Sequence, residues 1–384
     1  MFWIITEFKA CKMLFDNNTL TFLALVSAGL WETEVKLASY RGVDYESILR
    51  IAREQSVIGL VAAGLEHVTD VKIPQVWALQ FAGETIQLEL RNKEMNQFIA
   101  DLITKMDEEG ICTLLVKGQG IAQCYERPMW RCPGDIDFFL SDDNYSKAKK
   151  FLAPLASSIE EENSYTQHAG MMFGSVEVEL HGNLRGNFSS SSDNVLDKIK
   201  ENVFHNGNVR LWQNDRTPVF LMSATCDAFY IFTHILQHFF RGGIGLRQIC
   251  DWCRLLYTYR DKLDLGSLES RLMKAGLMSE WKAFGALAVE WLRLPVDAMP
   301  FYSDKTCWRN KANKLLKCII ETGNFGHNID NSYRTKNSFW VRKLMAMRKY
   351  ASEAFSHFMI FPMNTMRNYV RTMKSGLLST LGLK

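Results

Sequence analysis

The chain lacks a disulfide framework: its nine cysteines are scattered from Cys11 to Cys318 with no paired spacing, which favours a reducing, cytoplasmic setting. One C-x-x-C, Cys250-Asp251-Trp252-Cys253, has no second pair at zinc-finger distance and falls in a helical pattern, so it reads as packing. A membrane span is also missing. Glu7, Lys9, Lys12 and Asp16 spoil the apolar core that a signal peptide needs, and the apolar run 19–31 is shorter than the roughly 20 residues that cross a bilayer. There is no internal repeat and no low-complexity tract. Strong net charge is absent too, at +3 over 384 residues. That near-balance hides an asymmetry: residues 305–384 carry 15 Lys/Arg against Glu321, Asp330 and Glu353. Such an end reads either as a solvated helical face or as a surface for nucleic acid, anionic lipid or a charged substrate.

What is present is enough for a large core, with 47% hydrophobic and 23% charged residues in a length that suits two or three domains. The stretches 46–65 and 77–106 place apolar residues at three- and four-residue spacing with few breakers, the pattern of helices. From 111 the pattern is mixed. Strands are expected at 111–117, 135–140, 168–173, 176–182 and 208–212, with helices at 119–125, 142–154 and 193–203. Beyond 215 helices return, near 219–240, 245–260, 265–275, 278–292 and 305–321, then 337–357 and 362–380. The expected fold class is α/β (α+β), a small mixed β-sheet core flanked by helical regions. The expected division is 1–109 helical, 110–214 catalytic core, 215–330 helical and 331–384 a basic helical extension.

The densest chemistry lies at Lys117-Gly118-Gln119-Gly120 and Gly134-Asp135-Ile136-Asp137. An apolar strand ends on a glycine turn, and two acids one residue apart enter the next strand. Alternation puts Asp135 and Asp137 on one face, about 6.5–7 Å apart at Cα. Burying unpartnered carboxylates costs several kcal/mol, and a divalent metal ion removes both the burial and the repulsion problem. In Val176–His181 strict alternation sets Glu177, Glu179 and His181 on one face, after a hairpin turn at Gly174-Ser175. Glu179, with Glu177 as rival, supplies a third acid for one or two metal ions.

These residues resemble the nucleotidyltransferase superfamily, and more narrowly a large, uncharacterised bacterial nucleotidyltransferase family. The matching elements are Lys117-Gly118, Pro128, Arg131, Asp135-Ile136-Asp137 and Glu179-Leu180-His181, followed by His234-Ile235-Leu236-Gln237-His238 and Leu246-Arg247-Gln248-Ile249-Cys250-Asp251. The likeness spans about 45–330. It implies a polymerase-beta-like catalytic core in which Asp135, Asp137 and Glu179 are catalytic metal ligands for Mg²⁺ or Mn²⁺. Lys117, Gly118, Gln119 and Arg131 would hold a nucleoside triphosphate as co-substrate, and Glu179 could also serve as general base. The implied reaction moves a nucleoside monophosphate to an acceptor hydroxyl or phosphate and releases pyrophosphate. A small molecule is the leading acceptor. The alternatives are a catalytically inactive nucleotide-binding regulatory protein and a nucleic-acid-modifying enzyme that uses the basic C-terminal region. The turn departs from the superfamily, which has Gly-Ser or Gly-Gly where this chain has Gly118-Gln119.

Several of these side chains admit a second reading. Lys117 could simply reach solvent, and Arg131 could pair with Asp135 or a neighbouring acid. His181 could face the cleft or be a hydrogen-bonded structural residue. His234 and His238, one helical turn apart, read as packing or acceptor-site polarity rather than a metal pair. Arg247 and Asp251, at i and i+4, are expected to form a salt bridge, with lining of the acceptor pocket as the other role.

Overall fold

The computed structural model describes residues 14–40, 42–162, 165–326, 328 and 339–380. Glu7, Lys9 and Lys12, and the start of the basic extension at 331–338, lie outside them.

Helix α1 (Asn17–Trp31) starts where Asp16 accepts a hydrogen bond from the Thr19 amide. It is buried along most of its length because two glycines let α3 (Ile58–Glu66) approach it. A Cβ on Gly29 would lie 1.9 Å from the Leu60 carbonyl oxygen, and one on Gly64 2.1 Å from that of Leu25. The pattern over 46–65 is not one helix. α2 (Tyr45–Glu54) stops at Gln55, and Ser56, at φ 54, turns the chain into α3. Helix α4 (Gln75–Glu108) is 34 residues long and lays Met95, Ile99, Leu102, Ile103 and Met106 against the sheet.

The sheet has seven strands in the order β3-β4-β5-β2-β1-β7-β6. They are β1 (Leu114–Val116), β2 (Ile136–Phe139), β3 (Ser158–Ile159), β4 (His168–Phe173), β5 (Val176–His181), β6 (Val209–Asn214) and β7 (Thr217–Met222). The sheet is mixed: β2 runs parallel to β5 and antiparallel to β1, while β1 runs parallel to β7. Between the strands lie α5 (Gly118–Ala122), α6 (Asp142–Leu152) and α7 (Ser190–Asn206).

One expectation is corrected. The helix read over 219–240 begins only at Ala224, and residues 217–222 form β7 instead. The sheet thus extends past residue 214. Thr217-Pro218-Val219-Phe220-Leu221-Met222 has the period-two burial of a strand, with Val219 and Leu221 buried and Phe220 exposed. The apolar run into α8 obscured that change of period.

The two sheet faces are packed differently. Leu115, Ile136, Phe138, Leu140, Val178, Leu180, Val219 and Leu221 form an apolar layer with α4 and α6. The opposite face carries Val116, Phe139 and Met222 into the core built by α8 (Ala224–Arg241), α9 (Leu246–Thr258), α10 (Leu265–Ala275), α11 (Met278–Glu290) and α12 (Thr306–Thr322). The last helices are α13 (Phe339–Phe358) and α14 (Pro362–Thr380). On α14, Asn364, Thr365 and Asn368 point inward and Met363, Met366 and Val370 outward. Asn364 donates to Glu280 at 2.7 Å. No helix among the described residues is long and apolar enough to cross a membrane.

Candidate active site

Strand register brings the acids together. In the parallel β2–β5 ladder Asp137 is the direct partner of Glu179, so their backbones are one interstrand spacing apart, about 4.8 Å. Both side chains leave the face turned to α8. Asp135 enters from the loop just before β2. Single carboxylate oxygens of Asp135, Asp137 and Glu179 all lie within 4.8 Å of one another. Glu177 stays out of this group, two residues nearer the hairpin turn.

Lys117 is placed there by an unusual backbone. Leu115 points into the apolar layer and Val116 to the opposite face, so a regular strand would aim residue 117 back into the apolar layer. Instead Lys117 adopts φ 58, ψ −149, a region that L-residues avoid. The turn swings its ammonium to 2.6 Å from Asp137 Oδ1. Gly118 follows at φ +43 and opens the short α5.

Imidazoles complete the charge pattern. His181 Nε2 lies 2.7 Å from the same Asp137 Oδ1 and 3.3 Å from Glu179 Oε2, and His168 Nε2 lies 3.1 Å from Glu179 Oε2. From α8, His234 Nε2 is 3.3 Å from Lys117 Nζ, and His238 Nε2 is 3.0 Å from His234 Nε2. An ammonium only donates, so His234 accepts at Nε2 and carries its proton on Nδ1. Burial, and then the Lys117 charge, hold His234 well below the usual imidazole range, while burial first pushes His238 down to about 4. Burial opposes the Lys117 charge, but Asp137, Tyr230, Asp135 and Glu179 together hold its pKa well above the usual lysine value. Burial pushes the Asp137 carboxyl up to about 6, against the pull of Lys117. Burial also works on Glu179, but hydrogen bonds from His168 and His181 hold it below the ordinary carboxylate range.

One oxygen in the cluster is orphaned. Asp137 is 1% exposed, and its Oδ2 is buried with no hydrogen-bond partner, an arrangement that costs free energy unless a cation meets it. A set of three hard carboxylate ligands that includes this Asp137 fits a divalent ion of the Mg²⁺ or Mn²⁺ kind.

The remaining expected residues separate. Gln119 is 3% exposed and donates to Asn92 Oδ1 at 3.0 Å and Asn96 Oδ1 at 2.8 Å, so its side chain is turned into α4 and away from the acids. Arg131 lines the cleft but is committed to Asp251 by a bidentate pair, both bonds 2.8 Å. The expected Arg247–Asp251 bridge is therefore not made. Both oxygens of Asp251 face the Arg131 fork, Tyr125 adds a third donor at 2.7 Å, and Arg247 donates to the Cys132 and Pro133 carbonyls instead. Cys250 and Cys253 are fully buried free thiols whose pKa values burial raises.

The acids open into a cleft of about 440 Å³ lined by Lys117, Gly118, Asp135, Glu179, His181 and His234, among others. A second cavity of about 750 Å³, which includes Glu177, meets it at Gly134, Asp135 and Arg247. Sequence reading gave no role to His168, although a signal was there. Counting back from the two-residue turn at Gly174-Ser175 pairs position 168 with 181 and 170 with 179, which is the observed register.

The family model described as uncharacterised nucleotidyltransferase matches residues 41–293, from the start of α2 to just beyond α11. No curated protein and no solved structure matches the chain.

Proposed function

This chain belongs to the uncharacterised nucleotidyltransferase family and is a nucleotidyltransferase enzyme with a nucleotide substrate; from that premise we propose that it moves a nucleoside monophosphate from a nucleoside triphosphate to an acceptor hydroxyl or phosphate, with release of pyrophosphate. The observation that carries this reading is the Asp137 carboxylate, which lies within ligand range of Asp135 and Glu179 and whose Oδ2 is buried without a hydrogen-bond partner. Mg²⁺ or Mn²⁺ held by Asp135, Asp137 and Glu179 would supply charge neutralisation on the transferring phosphoryl group and on the leaving pyrophosphate.

The chain's own groups do the rest. Lys117 brings a permanent positive charge to the mouth of the acid set, and His234 keeps that ammonium aimed by accepting a hydrogen bond from it. Gly118 lets backbone approach an anion, because only the Asp135 carbonyl oxygen, at 3.4 Å, borders the space a Cβ would fill. We assign Arg131 to positioning: its fork ties the loop before β2 to α9 through Asp251, which sets where Asp135 enters. Two imidazoles keep Glu179 ionised, which suits a ligand better than a base. The first cleft, with Lys117 and Gly118, takes the triphosphate. The second takes the acceptor, and the two substrates share the wall at Asp135. We take a small molecule as the acceptor, in keeping with two cavities of a few hundred Å³.

The test supplies each of the four α-³²P-labelled ribonucleoside triphosphates with Mg²⁺ and a small-metabolite extract. Label is expected to pass to a metabolite with stoichiometric pyrophosphate, and to stop in Asp135→Asn and Asp137→Asn. Nucleotide binding with no pyrophosphate release, the same in wild type and both variants, overturns the transfer reading and leaves a nucleotide-binding regulatory protein.

A further inference from the structure

We propose that His168, Glu179 and His181 form a second cation site beside the carboxylate set, selective for a divalent transition ion of the zinc class rather than for Mg²⁺. It rests on the transfer reading only through the shared Glu179.

The register of the β4–β5 hairpin builds the site. His168 and His181 are direct partners across the antiparallel ladder, and Glu179 stands opposite Gly170, where the Glu160 carboxylate lies 3.1 Å from the position a Cβ would take. Both imidazoles turn the same nitrogen, Nε2, toward the same oxygen, Glu179 Oε2, at 3.1 and 3.3 Å. Two atoms each about 2.1 Å from one ion are separated by about 3.0 Å at a right angle and about 3.4 Å at the tetrahedral angle. The observed spacings fall in that window. The ring centroids are 4.9 Å apart, and one ligand atom from each of the three residues fits within 4.8 Å of the others. His181 Nε2 also lies 2.7 Å from Asp137 Oδ1, so the site abuts the acid set at that atom as well.

The donor chemistry separates the two sites. Asp135, Asp137 and Glu179 offer oxygen alone, which suits Mg²⁺ and Mn²⁺. Two imidazole nitrogens with one carboxylate suit Zn²⁺ and Co²⁺, and Mg²⁺ takes such ligands poorly. Three protein ligands leave a coordination position open. An ion there lies against the carboxylate that the acid set also uses, so its occupancy alters the charge that a triphosphate meets in the cleft.

The test is direct metal binding to the full chain, with Zn²⁺ by calorimetry and Co²⁺ by its visible absorption, in excess Mg²⁺. One ion per chain is expected. His168→Gln should weaken it by more than the roughly 10–100-fold that loss of a supporting partner costs. Asp135→Asn should leave it intact, which separates this site from the acid set. X-ray absorption at the zinc edge of wild type needs no variant and is expected to show two imidazoles. Equal affinity in wild type and His168→Gln, a spectrum without imidazole, or a thiolate band from Cys250 or Cys253 overturns the proposal. Failure of nucleotidyl transfer with zinc binding retained counts against the transfer reading alone.

Discussion

The two faces of the central sheet are made by the same strands and do opposite things. On one face Phe138 and its neighbours are sealed against α4 and α6 in a buried apolar cluster. One residue away on β2, Asp137 is as deeply buried, yet it meets an ammonium, an imidazole and two other acids. Burial on the first face contributes stability at about 25 cal/mol per Å² of apolar surface. On the second it costs stability, because buried charges are repaid only by close partners. Period-two alternation thus lets one short strand be a structural element on one side and a reaction surface on the other.

The comparison breaks most sharply if adjacent residues of β2 are exchanged for near-neutral ones. Asp137→Asn is expected to cut nucleotidyl transfer by at least about 10³-fold, some 4 kcal/mol on the barrier, with cooperative unfolding retained. Rates measured with the labelled triphosphates check it. A loss under tenfold would mean that the orphaned oxygen plays no part. Phe138→Ala should do the reverse. It removes a fully buried ring and is expected to cost about 3–5 kcal/mol in denaturant unfolding, while folded protein keeps its nucleotide affinity. A parallel fall in affinity at full folding would show the two faces to be coupled.

Much of this was legible in the sequence because alternation is a local property. Counting alone puts Asp135 with Asp137, and Glu179 with His181, on one face of their own strands, and the hairpin turn at Gly174-Ser175 is legible too. Register across non-consecutive strands was less accessible. That β2 lies between β1 and β5 places Asp137 beside Glu179, and no single strand's pattern contains that. Pairing choices were misread where a competitor lay far along the chain. Asp251 had a partner four residues away, but the fork of Arg131, 120 residues earlier, took both oxygens. The Gln119 side chain turns away for a similar reason, since its partners Asn92 and Asn96 sit on α4. Strand β7 was hidden because its apolar residues run straight into α8.

A smaller effect tests how Lys117 crosses from one face to the other. Its φ of 58 and ψ of −149 cost of order 1–3 kcal/mol for an L-residue and little for glycine. Lys117→Ala and Lys117→Gly both remove the ammonium, so their difference isolates the backbone. Lys117→Gly is expected to be the more stable by about 1–3 kcal/mol in chemical denaturation, although glycine normally loses stability through chain entropy. Equal stabilities would mean that the turn is unstrained and that the ammonium alone draws Lys117 across.

The smallest effect asks whether a titratable ring in dry surroundings behaves as the apolar face does. His357 on α13 packs on Phe239, with ring centroids 4.4 Å apart, and on Phe240. Lys314, Lys317 and Glu321 line the small cavity beside it. Burial lowers its pKa from 6.5 to about 4, so the folded protein resists a proton that the unfolded chain accepts. Its contribution is complete above about pH 6.5 and is lost as pH falls from there toward 4. Between pH 7 and 5.5 the expected loss is about 1 kcal/mol, visible as a drop in the urea midpoint. His357→Leu should flatten that segment of the profile while leaving the value at pH 7 within about 1 kcal/mol. An unchanged slope in the variant would assign the acid sensitivity to charges of the reaction face, where burial and opposing partners together set each proton's affinity.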